Sequence, residues 1–247
     1  MVINIKEPVE ELDPNWRFET KYRIKILEYY AIKNALPRYM KPDLYTQLKA
    51  SKRYLVRSLY YDTRDYRMYT EKVDGVCNRI KFRIRTYGTD PLERPDIRVE
   101  MKVRKGNAME KYGCFVSYEG YRQFKENRYW NSSEDPVLQE FTRYLHKWDL
   151  LPKTLVQYDR EGFHSRFQDR VRLTFDHRIK SAPANDLFPR NPFWRRHYFS
   201  QIVMEIKHQG NMPGWLNHLI QSYHMKVIPN SKYANSIEIA PRDILVG

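Results

Sequence analysis

Five stretches of this chain alternate charged and apolar residues with period two, and bases dominate the charged positions. Arg17, Glu19 and Lys21 stand opposite Phe18 and Tyr22. Lys81, Arg83 and Arg85 alternate with Ile80, Phe82 and Ile84, and Arg98, Glu100, Lys102 and Arg104 with Val99, Met101 and Val103. Arg170, Arg172, Thr174 and Asp176 alternate with Val171, Leu173 and Phe175, and Glu205 and Lys207 lie between Ile202, Met204 and Ile206. These positions hold eleven bases against four acids, a stronger bias than the chain-wide 44 against 30. One such strand could simply turn its charged face to water, as antiparallel sheets often do. Several side by side would repel by some tenths of a kcal/mol per facing pair unless an anion lay between them. With the charged face curled inward, the bases could grip several phosphates at once in a poorly hydrated space, and the few acids could hold a divalent cation.

The elements that must carry these residues are legible in the same patterns. Period-two alternation predicts strands with the bases on one face and the apolar residues on the other, and Tyr54–Tyr61 also reads as extended. Asp135 and Pro136 form a cap and first-turn pair ahead of Val137, Leu138, Phe141, Leu145 and Trp148 at helical spacing. Pro213 opens a second amphipathic helix with Trp215, Leu216, Leu219, Ile220 and Tyr223 on one stripe, and Glu119–Tyr129 is a weaker third. Residues 181–196, with Pro183, Pro189 and Pro192, read as a long loop. The expectation is an α+β fold in which helices cover the apolar face of an antiparallel sheet, as one domain over residues 1–247.

A formal charge of +14 and a pI near 9.6 point to a polyanionic partner. Nucleic acid, a phosphate-rich metabolite and an anionic membrane surface all carry the right charge. The aromatics fall opposite the bases, which makes stacking on nucleic acid unlikely. Cys77 and Cys114 are too few for a disulfide framework and are expected as small core residues. The amino terminus, Met1 to Asp13, has no apolar signal core, so a cytoplasmic location is expected. No run approaches the roughly 20 apolar residues of a membrane span, so membrane association would come through charge or a membrane-protein partner. A phosphate-binding Gly-x-x-x-x-Gly-Lys loop is absent, and the seven histidines are scattered without ligand or triad spacing.

In order along the chain come Arg17-Phe-Glu-Thr-Lys21-Tyr22, Ser58-Leu-Tyr-Tyr-Asp62-Thr63, Lys81-Phe-Arg83-Ile-Arg85-Thr-Tyr87-Gly88 and Val99-Glu100-Met-Lys102. They are followed by Tyr158-Asp-Arg160-Glu-Gly-Phe163, Arg172-Leu-Thr-Phe-Asp176, Met204-Glu205-Ile-Lys207 and Ser231-Lys232-Tyr233. This succession resembles the VTC domain of polyphosphate polymerases, within the triphosphate tunnel metalloenzymes. The resemblance implies an antiparallel β-barrel, a tunnel with a basic interior. It implies phosphate contacts by Lys21, Arg83, Arg85, Lys102, Lys111, Arg160, Arg172 and Lys232. It also implies a bound Mn²⁺ or Mg²⁺ on Glu205, with Glu100 as a second metal candidate; Glu19 is left without a role. On this basis Arg83, Arg85 and Arg172 would hold the terminal phosphates of ATP or another nucleoside triphosphate. Lys21, Lys102 and Lys232 would guide an inorganic polyphosphate acceptor, with Arg83, Arg85 and Lys232 closest to the transfer. A triphosphatase and a non-catalytic polyphosphate binder are the alternatives. The compact form resembles bacterial relatives, and the regulatory and membrane segments of fungal members are not expected.

Overall fold

The computed structural model describes residues 18–106, 108–130, 134–167 and 171–240, so Arg17 and Arg170 lie outside the described residues. Among the described residues, ten strands form one antiparallel sheet. They are β1 (Phe18–Lys25), β2 (Met40–Pro42), β3 (Tyr54–Asp62), β4 (Arg79–Thr86), β5 (Ile97–Lys105), β6 (Ala108–Val116), β7 (Leu151–Ser165), β8 (Val171–Pro183), β9 (Arg195–Arg196) and β10 (Gln201–His208). The spatial order is β1-β10-β8-β7-β3-β4-β5-β6, with β2 added to β7 and β9 to β8. The helices are α1 (Ile26–Tyr39), α2 (Leu44–Leu48), α3 (Arg67–Val73), α4 (Tyr118–Asn127), α5 (Pro136–Lys147), α6 (Gly214–Ser222) and α7 (Lys232–Glu238). None is long and apolar enough to cross a membrane.

The alternating strands pack as expected. Phe82, Ile84, Val99 and Met101 face outward under α5, whose Phe141 meets Phe82 edge-on with centroids 5.6 Å apart. Ile24, Leu173, Phe175, Met204 and Ile206 form a second apolar group with Ile32 and Leu36 of α1 and Leu216 of α6. Full burial of each such side chain contributes about 1.5–3 kcal/mol. Their removal from water fixes which face of each strand points inward.

The expected barrel is not closed. β1 and β6 are the sheet's two edges. The free edge of β1 is instead met by a neighbouring segment, through a bridge between Tyr22 and Val227 and a bond from Ile228 N–H to the Lys21 carbonyl at 2.8 Å. The sheet still curls strongly. Six strand spacings separate β1 from β5, about 29 Å if the sheet were flat, yet Lys102 Nζ of β5 lies 3.8 Å from Glu19 Oε2 of β1. The charged face is therefore concave, and side chains rather than a ladder bridge its seam.

Of the elements that the sequence patterns miss, β7, α1 and the β8–β9 pair show why. β7 has fifteen residues, but its register slips between Gln157 and Asp159, which interrupts the period-two signal. In α1, Pro37 and an abrupt start at the last residue of β1 hide a helix whose buried stripe is Tyr29, Ile32 and Leu36. The segment 181–196 is less irregular than expected, because β8 runs on to Pro183 and Arg195–Arg196 pair with it. Both cysteines are free thiols; Cys77 is exposed, against expectation, whereas Cys114 is half-buried and packs against the core.

Beneath α1, the buried Glu161 carboxylate accepts from Tyr29 Oη at 2.7 Å and Arg53 Nε at 2.9 Å, and also meets Lys33 and His177. Burial alone would raise its pKa, but His177, Lys33 and Tyr29 hold it below the ordinary value of 4.5. A depressed carboxylate stabilises the fold fully above its unfolded pKa and loses that contribution as pH falls. Urea midpoints at pH 7 and pH 4 should therefore drop more for the native chain than for Glu161→Gln. Parallel losses would show that Glu161 is not the acid-sensitive group.

Candidate functional site

Cross-strand register sets the bases in rows. Lys81, Lys102 and Lys111 stand side by side on β4, β5 and β6, and the next row is Arg83, Glu100 and Gly113. Glu100, 1% exposed, sits at the centre of the first cluster. Its oxygens lie 2.5 Å from Arg83 Nε, 2.5 Å from Lys111 Nζ, 3.6 Å from Arg85 Nε and 3.9 Å from Arg98 Nε. Burial opposes its ionisation, but Arg83, Arg85 and Lys111 hold it well below the usual carboxylate range. Gly113 makes the cluster possible, since a Cβ there would lie 3.0 Å from Arg98 Nε and 3.3 Å from Glu100 Cγ.

A second cluster centres on Asp176, which has no solvent exposure. Arg160, its cross-strand neighbour, donates Nε and Nη2 to the two carboxylate oxygens at 2.6 and 2.9 Å, and Lys232 Nζ approaches to 2.5 Å. Both cations lie over the Tyr158 ring, at 5.2 and 4.7 Å from its centroid. Lys232 reaches this point because α7 is anchored on either side of it. Ser231 Oγ accepts from Ala234 N–H at 3.3 Å, Tyr233 stacks on Tyr60 at 5.3 Å, and the Tyr233 hydroxyl donates to Asp62. Asp62 in turn accepts from the N–H groups of Thr63, Met68 and Tyr69 at 2.7, 2.8 and 3.1 Å, tying the end of β3 to α3 and α7.

The third cluster is built on β1 and β10. Glu205 lies 3.5 Å from Lys207 and 4.0 Å from Lys21, while Glu19 bonds Lys21 and lies 3.8 Å from both Lys102 and Lys207. Burial opposes the Glu205 charge, but Lys21, Lys207 and Arg160 keep it ionised, and the same carboxylates push the Lys21 amine up to about 12 against its own burial. Glu205 and Lys207 line a small polar cavity with Arg160, Arg172 and Thr174, and the buried Thr174 hydroxyl has no hydrogen-bond partner. Arg172 reaches Asp43 Oδ2 at 3.3 Å. A Cβ on Gly162 would come within 1.9 Å of that same oxygen, so glycine is required there.

All ten predicted site residues thus face one concavity, in three groups and the Arg172–Asp43 pair. Glu100 is surrounded by four bases, where an added cation would meet only repulsion; in this geometry it is their counter-ion. Glu205 differs, because Glu19 is close enough for the two carboxylates to repel each other. Among the described residues no three His, Cys, Asp or Glu side chains gather into a metal cage. The partnership of Asp176 with Arg160 was not legible, since the slip in β7 takes Arg160 out of any alternating run. The expectation that aromatics lie opposite the bases fails at Tyr54, Tyr60 and Tyr158. They share the inner face because β3 is buried on both sides and pairs with β7; Tyr54 and Tyr60 pack on other tyrosines, and Tyr158 lies under Arg160 and Lys232.

Lys81 stands apart. It donates to Ser231 Oγ at 3.0 Å, and burial followed by the charges of Lys102 and Arg79 pushes its amine down to about 7. A bound polyanion would raise that value, so tripolyphosphate binding at pH 8 should take up a proton. The Lys81 share of that uptake should fade below pH 7, where its amine is already charged, and be missing in Lys81→Met, which should take up fewer protons than the native chain; calorimetry in buffers of differing ionisation heat measures it. Glu100→Gln should cost about 3–5 kcal/mol of stability by leaving its bases uncompensated. Tripolyphosphate should then raise the melting temperature of the variant more than that of the native chain, and an equal rise would refute the counter-ion role.

The model of the VTC domain family matches residues 16–240. No curated protein matches the chain. Among solved structures, a candidate adenylate cyclase from Bacillus halodurans superposes with a TM-score of 0.51 at 12% identity, covering 88% of this chain and 94% of its own. The PH1819 protein from Pyrococcus horikoshii gives a TM-score of 0.46 at 10% identity, with 90% and 96% covered. The first of these likenesses speaks for the fold alone, whereas the family model covers nearly the whole described length, including the strands that carry all three clusters. The chain belongs to the VTC domain family.

Proposed function

We propose that this chain is a polyphosphate polymerase that moves the γ-phosphate of ATP onto the end of a polyphosphate chain. The observation that carries this is the convergence of Arg83, Arg85, Arg160, Arg172, Lys21, Lys102, Lys111 and Lys232 on one concave face whose carboxylates are too few to neutralise them. Phosphoryl transfer requires little covalent work from a protein. It needs the phosphates held in line and their developing charge met by fixed cations. The bond from the γ-phosphorus to its bridging oxygen breaks, a bond to a terminal oxygen of the acceptor forms, and ADP leaves.

Arg83 and Arg85 are aligned by Glu100 and by Tyr60, whose hydroxyl accepts from Arg83 Nη1 at 3.3 Å. They therefore present guanidinium groups already oriented for terminal phosphate oxygens, and Arg172 lines the small cavity with Arg160 and Glu205. Lys21, Lys102 and Lys232, compact charges on flexible stems, suit an acceptor that must advance by one unit per cycle. Glu205 with Glu19 fits Mg²⁺ or Mn²⁺, which proteins commonly hold by one or two carboxylates together with substrate phosphates. When bound, such an ion would neutralise charge on the phosphate oxygens.

Pure protein incubated with ATP and Mn²⁺ should make polyphosphate visible on a gel. Arg83→Ala and Glu205→Ala should each lower the rate by at least about a hundredfold, the scale expected when a fixed electrostatic stabiliser is lost. Free phosphate without chains would identify a triphosphatase. Neither product, with polyphosphate binding retained, would leave a binding module.

A further inference from the structure

One end of the basic face carries a group of rings that phosphate chemistry does not use. Tyr45 of α2 stacks on Tyr87, just past β4, with centroids 5.8 Å apart and planes 12° from parallel. Tyr54, at the start of β3, tilts against both, at 5.5 Å from Tyr45 and 6.3 Å from Tyr87. Tyr54 is buried and Tyr87 partly so, but Tyr45 is 40% exposed. The floor of the group is buried, and Tyr45 is its exposed ring.

The position of these rings relative to the bases is set by the chain. Tyr54 is the cross-strand partner of Arg160. Tyr45 lies two residues beyond Asp43, which both caps α2 through Thr46 N–H at 2.9 Å and meets Arg172 at 3.3 Å. Tyr87 follows Arg85 by two residues. Each of these three arginines is thus tied to one ring of the group, by register, through Asp43 or along the chain. The opposite end carries Lys81, Lys102 and Arg79 with no such group.

We infer that Tyr45, backed by Tyr87 and Tyr54, is a stacking platform for the base of the nucleoside triphosphate, which enters with its base at this end and its phosphates directed toward Arg160 and Arg85. An aromatic face accepts any base, since every base has a π-surface. The ligand class is therefore a purine or pyrimidine nucleotide with little discrimination among bases. This inference rests on the phosphate reading of the face, and inorganic tripolyphosphate, which has no base, separates the two.

Binding of ATP and of inorganic tripolyphosphate is measured by calorimetry on the native chain and on Tyr45→Leu, Tyr45→Phe and Tyr87→Leu, with melting curves to confirm folding. Tyr45→Leu should weaken ATP about tenfold or more, on the scale of one lost stacking contact. It should leave tripolyphosphate within about twofold, and Tyr45→Phe, which keeps the ring, should bind ATP as the native chain does. Equal loss of both ligands in Tyr45→Leu, or loss of neither, would overturn the platform while leaving phosphate binding in place. A native chain that binds neither ligand would overturn both proposals. Tyr87→Leu gives a second test, because a platform without its backing ring should also weaken ATP selectively.

Discussion

Like charges that face one another across neighbouring strands destabilise a sheet, and this sheet sets bases beside bases on neighbouring strands. Lys81 faces Lys102, Lys102 faces Lys111, and Arg85 faces Arg98. Such a face can be buried only if counter-charges are built into it, and Glu100, Asp176 and Glu205 supply them. Each is central to a group rather than the partner of one base. Removing one partner of a buried ionic group is far more damaging than weakening a surface pair. The rest of the inner face is arranged around that constraint, from the missing side chain at Gly113 to the tyrosines that lie against the guanidinium groups.

The same constraint explains why an open sheet suffices. Glu19 of β1 meets Lys102 of β5 across a seam that no ladder closes. An ion pair between the β1 edge and the strand next to the other edge thus spans the concavity where no ladder does. At another point α7 lies against the inner face, and Lys232 is delivered to Asp176 by contacts on the residues either side of it, not by its own side chain alone. Asp62 is the anchor of that arrangement. It is fully buried, and it satisfies donors from three backbone positions as well as the Tyr233 hydroxyl. A change there would be expected to displace a base of the site without touching it.

Rigid pairs and looser ones divide the concave face. Arg160 is gripped bidentately and Arg83 at 2.5 Å, whereas Lys21, Lys102 and Lys207 share two carboxylates at distances mostly of 3.5–4.0 Å. Fixed dipoles and charges that need no reorganisation are the most effective at stabilising a transition state. Cations that exchange partners easily are better suited to a ligand that must slide.

The sequence by itself determined which residues share a face, because alternation along β1, β4, β5, β8 and β10 is a property of the extended backbone and needs no tertiary information. It also determined the two strongest helices, α5 and α6, through caps, prolines and apolar stripes. The order of the short charged motifs was enough to find the family, and the eight bases and two acids that the resemblance implies all lie on the concave face. Only the tertiary structure decided which base meets which acid. Register across β7 depends on a local slip that leaves no mark in composition, so the pairing of Arg160 with Asp176 could not be read in advance. The open seam, the placement of Lys232 by α7 and the meeting of Tyr45 with Tyr87 likewise join residues far apart in the chain. Contacts of that kind depend on how the sheet curls, and curvature is set by the packing of many side chains together rather than by the spacing of any few.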